Sequence, residues 1–387
     1  MDNTEYYERS VRLHALNKGK LEVASKVPIE NQDNISTACL PGVAGPCMLI
    51  AQDPENARRY TLKANTVAVV SDGSSVPGLG NIGGLASLPM IEGKAVLFKK
   101  FGNVDAFPIC LDTQDADEII DTIKKIAPGF GGICLESISA PGCFDIEKRL
   151  KAELGIPVFH DNQHGSAVVI GAAAINAFRF LGKPHYEIRA VVCGTGVVGN
   201  AITKMLVQLG IRDIIILDSN GIISPSRISE FGEEKIELLE MTNKDGISGG
   251  LEKAVWNRDL FIGVSKQGVL TGEMVKSMRR NPVIFALANP EPEIKPELAK
   301  SAGARIVLTA RPDSPSRISN ALAFPGIFRG VLDIGAKDIT EKMKIAAVHA
   351  LAGFIPKEKL SEEYLLPSVF EEGVSEAVAK AVAGAWR

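Results

Sequence analysis

Residues 158–166 read VFHDNQHGS. A short apolar run gives way to Asp161 and Asn162, flanked by His160 and His164. A carboxylate here can move a proton or hold a divalent cation. The amide of Asn162 holds such a cation poorly, because it brings no charge. The two histidines are four residues apart, but a glycine follows His164 and the segment leaves a strand. They are therefore read as packing or capping residues rather than as ligands stacked on one helix face.

A second group of residues is suited to a dinucleotide. AVVCGTGVVGNAITKMLVQLG reads as a strand, a G-x-G-x-x-G turn and a helix that stops at Gly210. Gly194 permits the tight turn, Gly196 lets the backbone approach a pyrophosphate, and Gly199 lets helix and strand pack closely. With Thr195, Val197 and Val198 these glycines form the turn that would set the phosphates on the helix N-terminus. The next strand, DIIILD, ends in Asp218, roughly 20 residues on, where an acid takes the ribose hydroxyls. That carboxylate would repel a 2′-phosphate, and no Arg or Lys follows within SNGIIS, so NAD is expected over NADP. GLGNIG at 78–83 matches the same pattern. It lies several residues past its strand, and the next segment, KAVLFKKF, is read as a strand without a terminal acid. It is taken as a turn beside the site.

These groups need a scaffold. NTVAVVSDG, KAVLFKKF, DAFPICLD, FGGICLES and IPVFHDN read as strands, with amphipathic helices DADEIIDTIKKIA and FDIEKRLKAELG between them. The alternation predicts an α/β fold of parallel sheets covered by helices, with ligands beyond the carboxyl ends of the strands. Asp72, Asp112, Glu136 and Asp161 stand at such ends. The expected domains are an N-terminal substrate and catalytic domain (1–165) and a Rossmann-type, doubly wound NAD domain (166–335). Helices at 336–387 are expected to return to the first domain.

The 387 residues, 45% hydrophobic and 23% charged, carry a formal charge of −3. That balance is globular and gives no general attraction to nucleic acid or acidic membranes. The N-terminus has no secretory pattern, and no stretch is read as approaching the roughly 18 apolar residues of a membrane span. Six scattered cysteines without a C-x-x-C pair point to reduced thiols and a cytoplasmic protein.

SDGSSVPGLGNIG, EGKAVLFKKFGNVDAFPICLDT, GGICLESISAPGCFDIEKRL, PVFHDNQHGSA, the GTGVVG turn, ALANPEPEI and NALAFPGIFRG together resemble the malic enzymes of the short bacterial type. The resemblance covers nearly the whole chain. It implies a two-domain malic-enzyme-like architecture, oxidation of malate with NAD(P), release of CO2 and pyruvate, use of Mg2+ or Mn2+, and a homodimer. It also implies that Lys94 is the general base with Asp161 supporting it, and that Asn289 and Asn320 touch substrate and nicotinamide.

Four positions depart from the family pattern. Cys39 replaces its tyrosine acid, and Ser75 replaces its substrate-binding arginine. At the three matched metal positions only Glu136 remains acidic, beside Ser137 and Asn162. Losing the arginine removes charged hydrogen bonds worth about 1.5–3 kcal/mol each. Divalent ions prefer several charged oxygens, so a full Mg2+ or Mn2+ shell is not expected. The cofactor side is intact and the substrate side is changed. The expected function is NAD-linked hydride transfer from a small 2-hydroxy acid or related alcohol. The alternatives are a working malic enzyme with an unusual metal shell and a non-catalytic NAD-binding homologue. The partner is a small molecule, neither nucleic acid nor membrane.

Overall fold

The computed structural model describes residues 3–310 and 318–386. Among the described residues, ten strands form two sheets. The first holds β1 (Thr66–Ser71), β2 (Asp105–Cys110), β3 (Gly132–Leu135) and β4 (Val158–His160), all parallel in the order β2-β1-β3-β4. Strands such as VAVV are apolar on both faces because helices cover both. Pro108, which has no N–H to donate, lies on the edge strand β2, where that lack costs least. The register pairs Val70 with Leu135 and Leu135 with His160. The residues that follow β3 and β4, Glu136 and Asp161, are thereby placed side by side at the carboxyl edge.

The second sheet holds β5 (Arg189–Cys193), β6 (Asp213–Asp218), β7 (Gly221–Ile222), β8 (Leu260–Gly263), β9 (Val283–Ala286) and β10 (Ile306–Thr309). Its order is β10-β9-β8-β5-β6-β7, parallel except for the β6–β7 hairpin. The chain runs one way from β5 to β6 and the other way from β8 to β10. The crevice between β5 and β8 is therefore the switch point at which such sheets bind ligands.

KAVLFKKF is not a strand. It lies inside the helix Gly83–Gly102, whose buried residues include Ile91, Lys94, Ala95 and Phe98. That spacing is a helical stripe. A short apolar run does not by itself separate the two readings. The helix stops at Asn103, which adopts a left-handed φ of 48°.

The helix Asp161–Leu181 begins on the candidate site and runs unbroken through residue 165. It is long and apolar enough by composition to cross a membrane, with a mean hydropathy of 1.3 over its most apolar stretch. The sequence thus does hold one stretch of that length and composition, contrary to expectation. Its Ala- and Gly-rich length serves packing instead. Gly171 lies so close to Met205, Leu209 and Val348 that even a Cβ would be crowded. Val168, Val169, Ala172, Ala173 and Ala174 are fully buried or nearly so.

The chain crosses back to the first sheet at the helix Phe324–Ile334. Phe324 and Phe328 meet Phe98 at ring separations of 4.6 and 5.2 Å, and Phe328 meets Phe159 at 5.8 Å, all edge-on. Each such pair contributes about 0.5–1.5 kcal/mol beyond burial. Gly102 permits the approach, since a Cβ there would lie 2.8 Å from the Pro325 carbonyl oxygen. The helices Glu341–Phe354 and Val374–Gly384 complete the core.

Candidate active site

Lys94 is brought to the first sheet by the buried stripe of its helix. Its ammonium forms ion pairs with Asp161 and, at 2.8 Å, with Glu136. It also stands 4.0 Å from the centre of the Phe324 ring. Glu136 Oε2 has no well-directed hydrogen bond, so its contact with Lys94 is Coulombic. The carboxylate of Asp161 also accepts from Asn320 Nδ2, while its Oδ1 is buried without a hydrogen-bond partner. All three charged groups are nearly inaccessible, which strengthens their mutual attraction and makes separating them costly. Burial works against the Lys94 ammonium, but Asp161 and Glu136 outweigh it and hold its pKa above the ordinary value. Burial pushes the Asp161 carboxyl up, Lys94 opposes this, and Glu136 adds to it.

The substituted positions form a second layer. Ser137 sits at a left-handed φ of 56°, and its N–H donates to Asn162 Oδ1 at 2.8 Å. Its carbonyl accepts from the Ser75 N–H at 2.9 Å. Asp72 accepts from the backbone and hydroxyl of Ser74 and so shapes the turn that leads to exposed Ser75. GLGNIG forms a tight turn bridged between Val76 and Gly80.

Of the three matched metal positions, only Glu136 carries a charge, and Ser137 and Asn162 are neutral. Glu136 is committed to Lys94, and the Asn162 oxygen is committed to a backbone N–H. Among the described residues no group of three or more His, Cys, Asp or Glu is placed to hold a metal. His160 is the N-cap of the helix and His164 lies in its first turn. His164 pairs with Glu147 at 2.9 Å.

Cys39 is not brought to Lys94 within this chain. It caps the helix Gln32–Ala38, its thiol is exposed, and its described hydrogen bonds are backbone bonds to Ile35 and Val43. It belongs to an N-terminal arm whose short helices, Gln32–Ala38 and Ala44–Gln52, bury no residue. Asp112 is likewise exposed.

On the second sheet, β5 leads into the glycine turn. Gly194 has a φ of 123°, and a Cβ there would meet the Val264 carbonyl of β8's end at 2.6 Å. A Cβ on Gly199 would lie 1.9 Å from the Gly194 oxygen, so strand and helix touch. Gly196, by contrast, faces open space. It is the N-cap of the helix Val197–Gln208, whose first N–H groups lack a side-chain cap. The turn has the room and the unused donors that a pyrophosphate requires. Thr195, Val197 and Val198 are partly exposed along it.

Asp218 ends β6 as expected, but it is not alone. Arg227 grips it with two bonds of 3.0 and 3.1 Å, and Lys235 adds one of 2.7 Å. Burial opposes its charge, yet these two cations lower its pKa to about 2. Contrary to the expectation that no cation stands near it, Asp218 is thus paired with two. The cations lie nine and 17 residues further along, beyond SNGIIS, and only folding brings them back.

Asn289 is exposed at the carboxyl end of β9. Nearby Glu293 is fully buried and accepts from the N–H groups of Ser265 and Ala288 at 2.8 and 3.0 Å, tying the ends of β8 and β9 together. Sequence reasoning missed it, because its partners are backbone groups of other strands.

A glycine turn at a switch point, facing a domain that presents a buried lysine between two carboxylates, defines a dinucleotide-dependent oxidoreductase. Residues 18–151 match the model of the malic enzyme N-terminal domain, and residues 163–386 match that of the malic enzyme NAD binding domain. A bifunctional malic/malolactic enzyme of Bacillus subtilis is 51% identical over 98% of this chain and 92% of its own. An NAD-dependent malic enzyme of Geobacillus stearothermophilus is 51% identical over 94% of this chain and 76% of its own. The crystal structure of an NAD-dependent malic enzyme from Thermotoga maritima superposes with a TM-score of 0.93 at 45% identity, covering 97% of this chain and 98% of that one. The chain belongs to the malic enzyme family and is an NAD(P)-dependent oxidoreductase of that type.

Proposed function

We propose that this chain transfers hydride to NAD from a small 2-hydroxy acid or related alcohol, with substrate recognition and a metal shell that depart from the family pattern. The observation that carries this reading is the closed Lys94–Asp161–Glu136 cluster beside a neutral Ser137–Asn162 pair. A dicarboxylate needs cations to hold it. Here the charge of Lys94 is already balanced by two acids.

The dinucleotide supplies the hydride acceptor when bound. Gly196 and the open first turn of its helix would hold the pyrophosphate, and Asp218 the adenosine ribose. Within the Lys94–Asp161 pair the Asp161 carboxylate takes the proton of the substrate hydroxyl as hydride leaves, because Lys94 is held as the ammonium and only donates. Asn320 fixes the orientation of Asp161 through its amide donor. Asn289 lines the nicotinamide side. The exposed arm finds its cover on a second copy of this chain, because Val11, Leu16, Val23, Leu40 and Met48 are each 60% exposed or more and unburied apolar surface of this kind marks an interface. The protein is assigned to the cytoplasm, where its cysteines stay reduced.

A second reading is oxidative decarboxylation of malate itself, favoured by the 51% identity to the Bacillus subtilis bifunctional malic/malolactic enzyme. NADH formation at 340 nm, with malate and a panel of monocarboxylic hydroxy acids, with Mn2+ or with EDTA, separates the two. The first reading expects turnover of a compound other than malate that survives EDTA. Malate turnover that requires Mn2+ and releases CO2 replaces it with the second. The double reversion Ser137→Asp with Asn162→Asp is expected to bind Mn2+ where the natural chain does not. Aspartate also tolerates the left-handed backbone at 137.

A further inference from the structure

Glu147 lies outside the cluster of charges around Lys94, yet it is buried and fully engaged. It stands on the helix Gly142–Glu153, which follows the turn carrying Glu136 and Ser137. Its carboxylate reaches across to the start of the helix Asp161–Leu181. There it accepts from the His160 N–H at 3.2 Å and from Gln163 Nε2 at 3.1 Å, and it meets His164 Nε2 at 2.9 and 3.0 Å. In an ordinary capping box, the third residue of a helix supplies the acceptor for the N-cap N–H. That third residue is Gln163, and a carboxylate from a different helix makes the bond instead.

The outer contacts fix the direction of each bond. Lys344 Nζ lies 3.1 Å from His164 Nδ1. An ammonium only donates, so Nδ1 accepts and the His164 proton is on Nε2, pointing at Glu147. Gln163 Nε2 also lies 2.8 Å from His160 Nδ1. The residues on both sides of Asp161 and Asn162 are thus held by one carboxylate, whose own helix is joined directly to the Glu136 turn.

We propose that Glu147 is a positioning residue, which sets the distance between the segment bearing Asp161 and the turn bearing Glu136 and so keeps Lys94 clamped between them. This rests on the reading of Lys94 and Asp161 as the reacting pair. The test does not use turnover, so it stands or falls separately from that reading.

The full chain and its Glu147→Gln variant are treated with limiting acetic anhydride at one pH. Acetylation of Lys94 is read against exposed Lys100 by peptide mass spectrometry, and NAD affinity is measured by calorimetry. Glutamine keeps the shape but sets an amide donor against the donors of Gln163 and His164. The Lys94/Lys100 ratio is expected to rise about tenfold while NAD affinity stays within about twofold, because the glycine turn is on the other sheet. An unchanged ratio in a variant that binds NAD normally overturns the proposal. If Glu147→Gln does not fold, Gln163→Met decides in the same way. It removes one of the donors, and a rise of about threefold is expected. No rise overturns the proposal.

Discussion

Replacing Gly165 by alanine should disconnect Asp161 from Lys94, although on helix propensity alone the change would stabilise the protein. Gly165 lies in the first turns of the helix Asp161–Leu181. Alanine is favoured over glycine within a helix by about 1 kcal/mol. A Cβ at 165, however, would stand 1.9 Å from Asp161 Oδ1 and 2.9 Å from its Cγ, with Asn320 Cβ at 3.5 Å on the far side. The carboxylate has to turn away, and it is held by Lys94 and Asn320. Breaking one partner out of a buried ion pair costs about 3–5 kcal/mol, so the net loss should be about 2–4 kcal/mol after the gain in propensity. Hydride transfer should fall about 100-fold or more, as expected for a displacement of the reacting group by roughly an ångström. Denaturant unfolding gives the first quantity and steady-state NADH formation gives the second. Gly353→Ala is the control, because an added Cβ there meets nothing within 4 Å. Its effect should be neutral or stabilising by up to about 1 kcal/mol. A Gly165→Ala protein that is more stable than the natural chain and equally active would refute the assigned geometry of Asp161.

Three further outcomes are expected. Gly196→Val should leave the unfolding transition unchanged, since the added side chain faces open space, while weakening NAD binding about tenfold or more by occupying the approach to the pyrophosphate; unchanged affinity in calorimetry would contradict the cofactor site. Lys235→Glu should widen the preference for NAD over NADP about tenfold, because Lys235 is the cation on Asp218 most able to swing toward a 2′-phosphate; equal effects on both cofactors would mean that Lys235 only supports the fold. The proposed arm-mediated dimer should dissociate to monomer in sedimentation velocity at micromolar concentration when Leu16→Arg is combined with Val23→Glu, since both side chains are at least 85% exposed on the arm; a monomeric natural chain, or a dimer that survives both changes, would refute that reading.

The sequence by itself determined those features whose signal is local and periodic. The glycine turn needed residues with room and a free backbone at fixed offsets, and Gly194, Gly196 and Gly199 could be read because no other residue type serves there. The polar ends of β1, β3 and β4 were legible because a buried parallel strand is a continuous apolar run that must stop where loops begin. The substitutions at Cys39, Ser75, Ser137 and Asn162 needed only comparison with a known pattern. Tertiary structure decided what depends on partners distant in the chain. KAVLFKKF read as a strand until Phe324 and Phe328 supplied the face against which its helix packs. Arg227 and Lys235 came to Asp218 through the fold of the segment after β7. Glu147 and Glu293 had no signal at all, because a buried carboxylate is defined by the donors that converge on it, and those donors come from other elements. The charge state of Lys94 belongs to the same class, since it is set by two acids that lie 42 and 67 residues further along the chain and meet only when β3 and β4 pair.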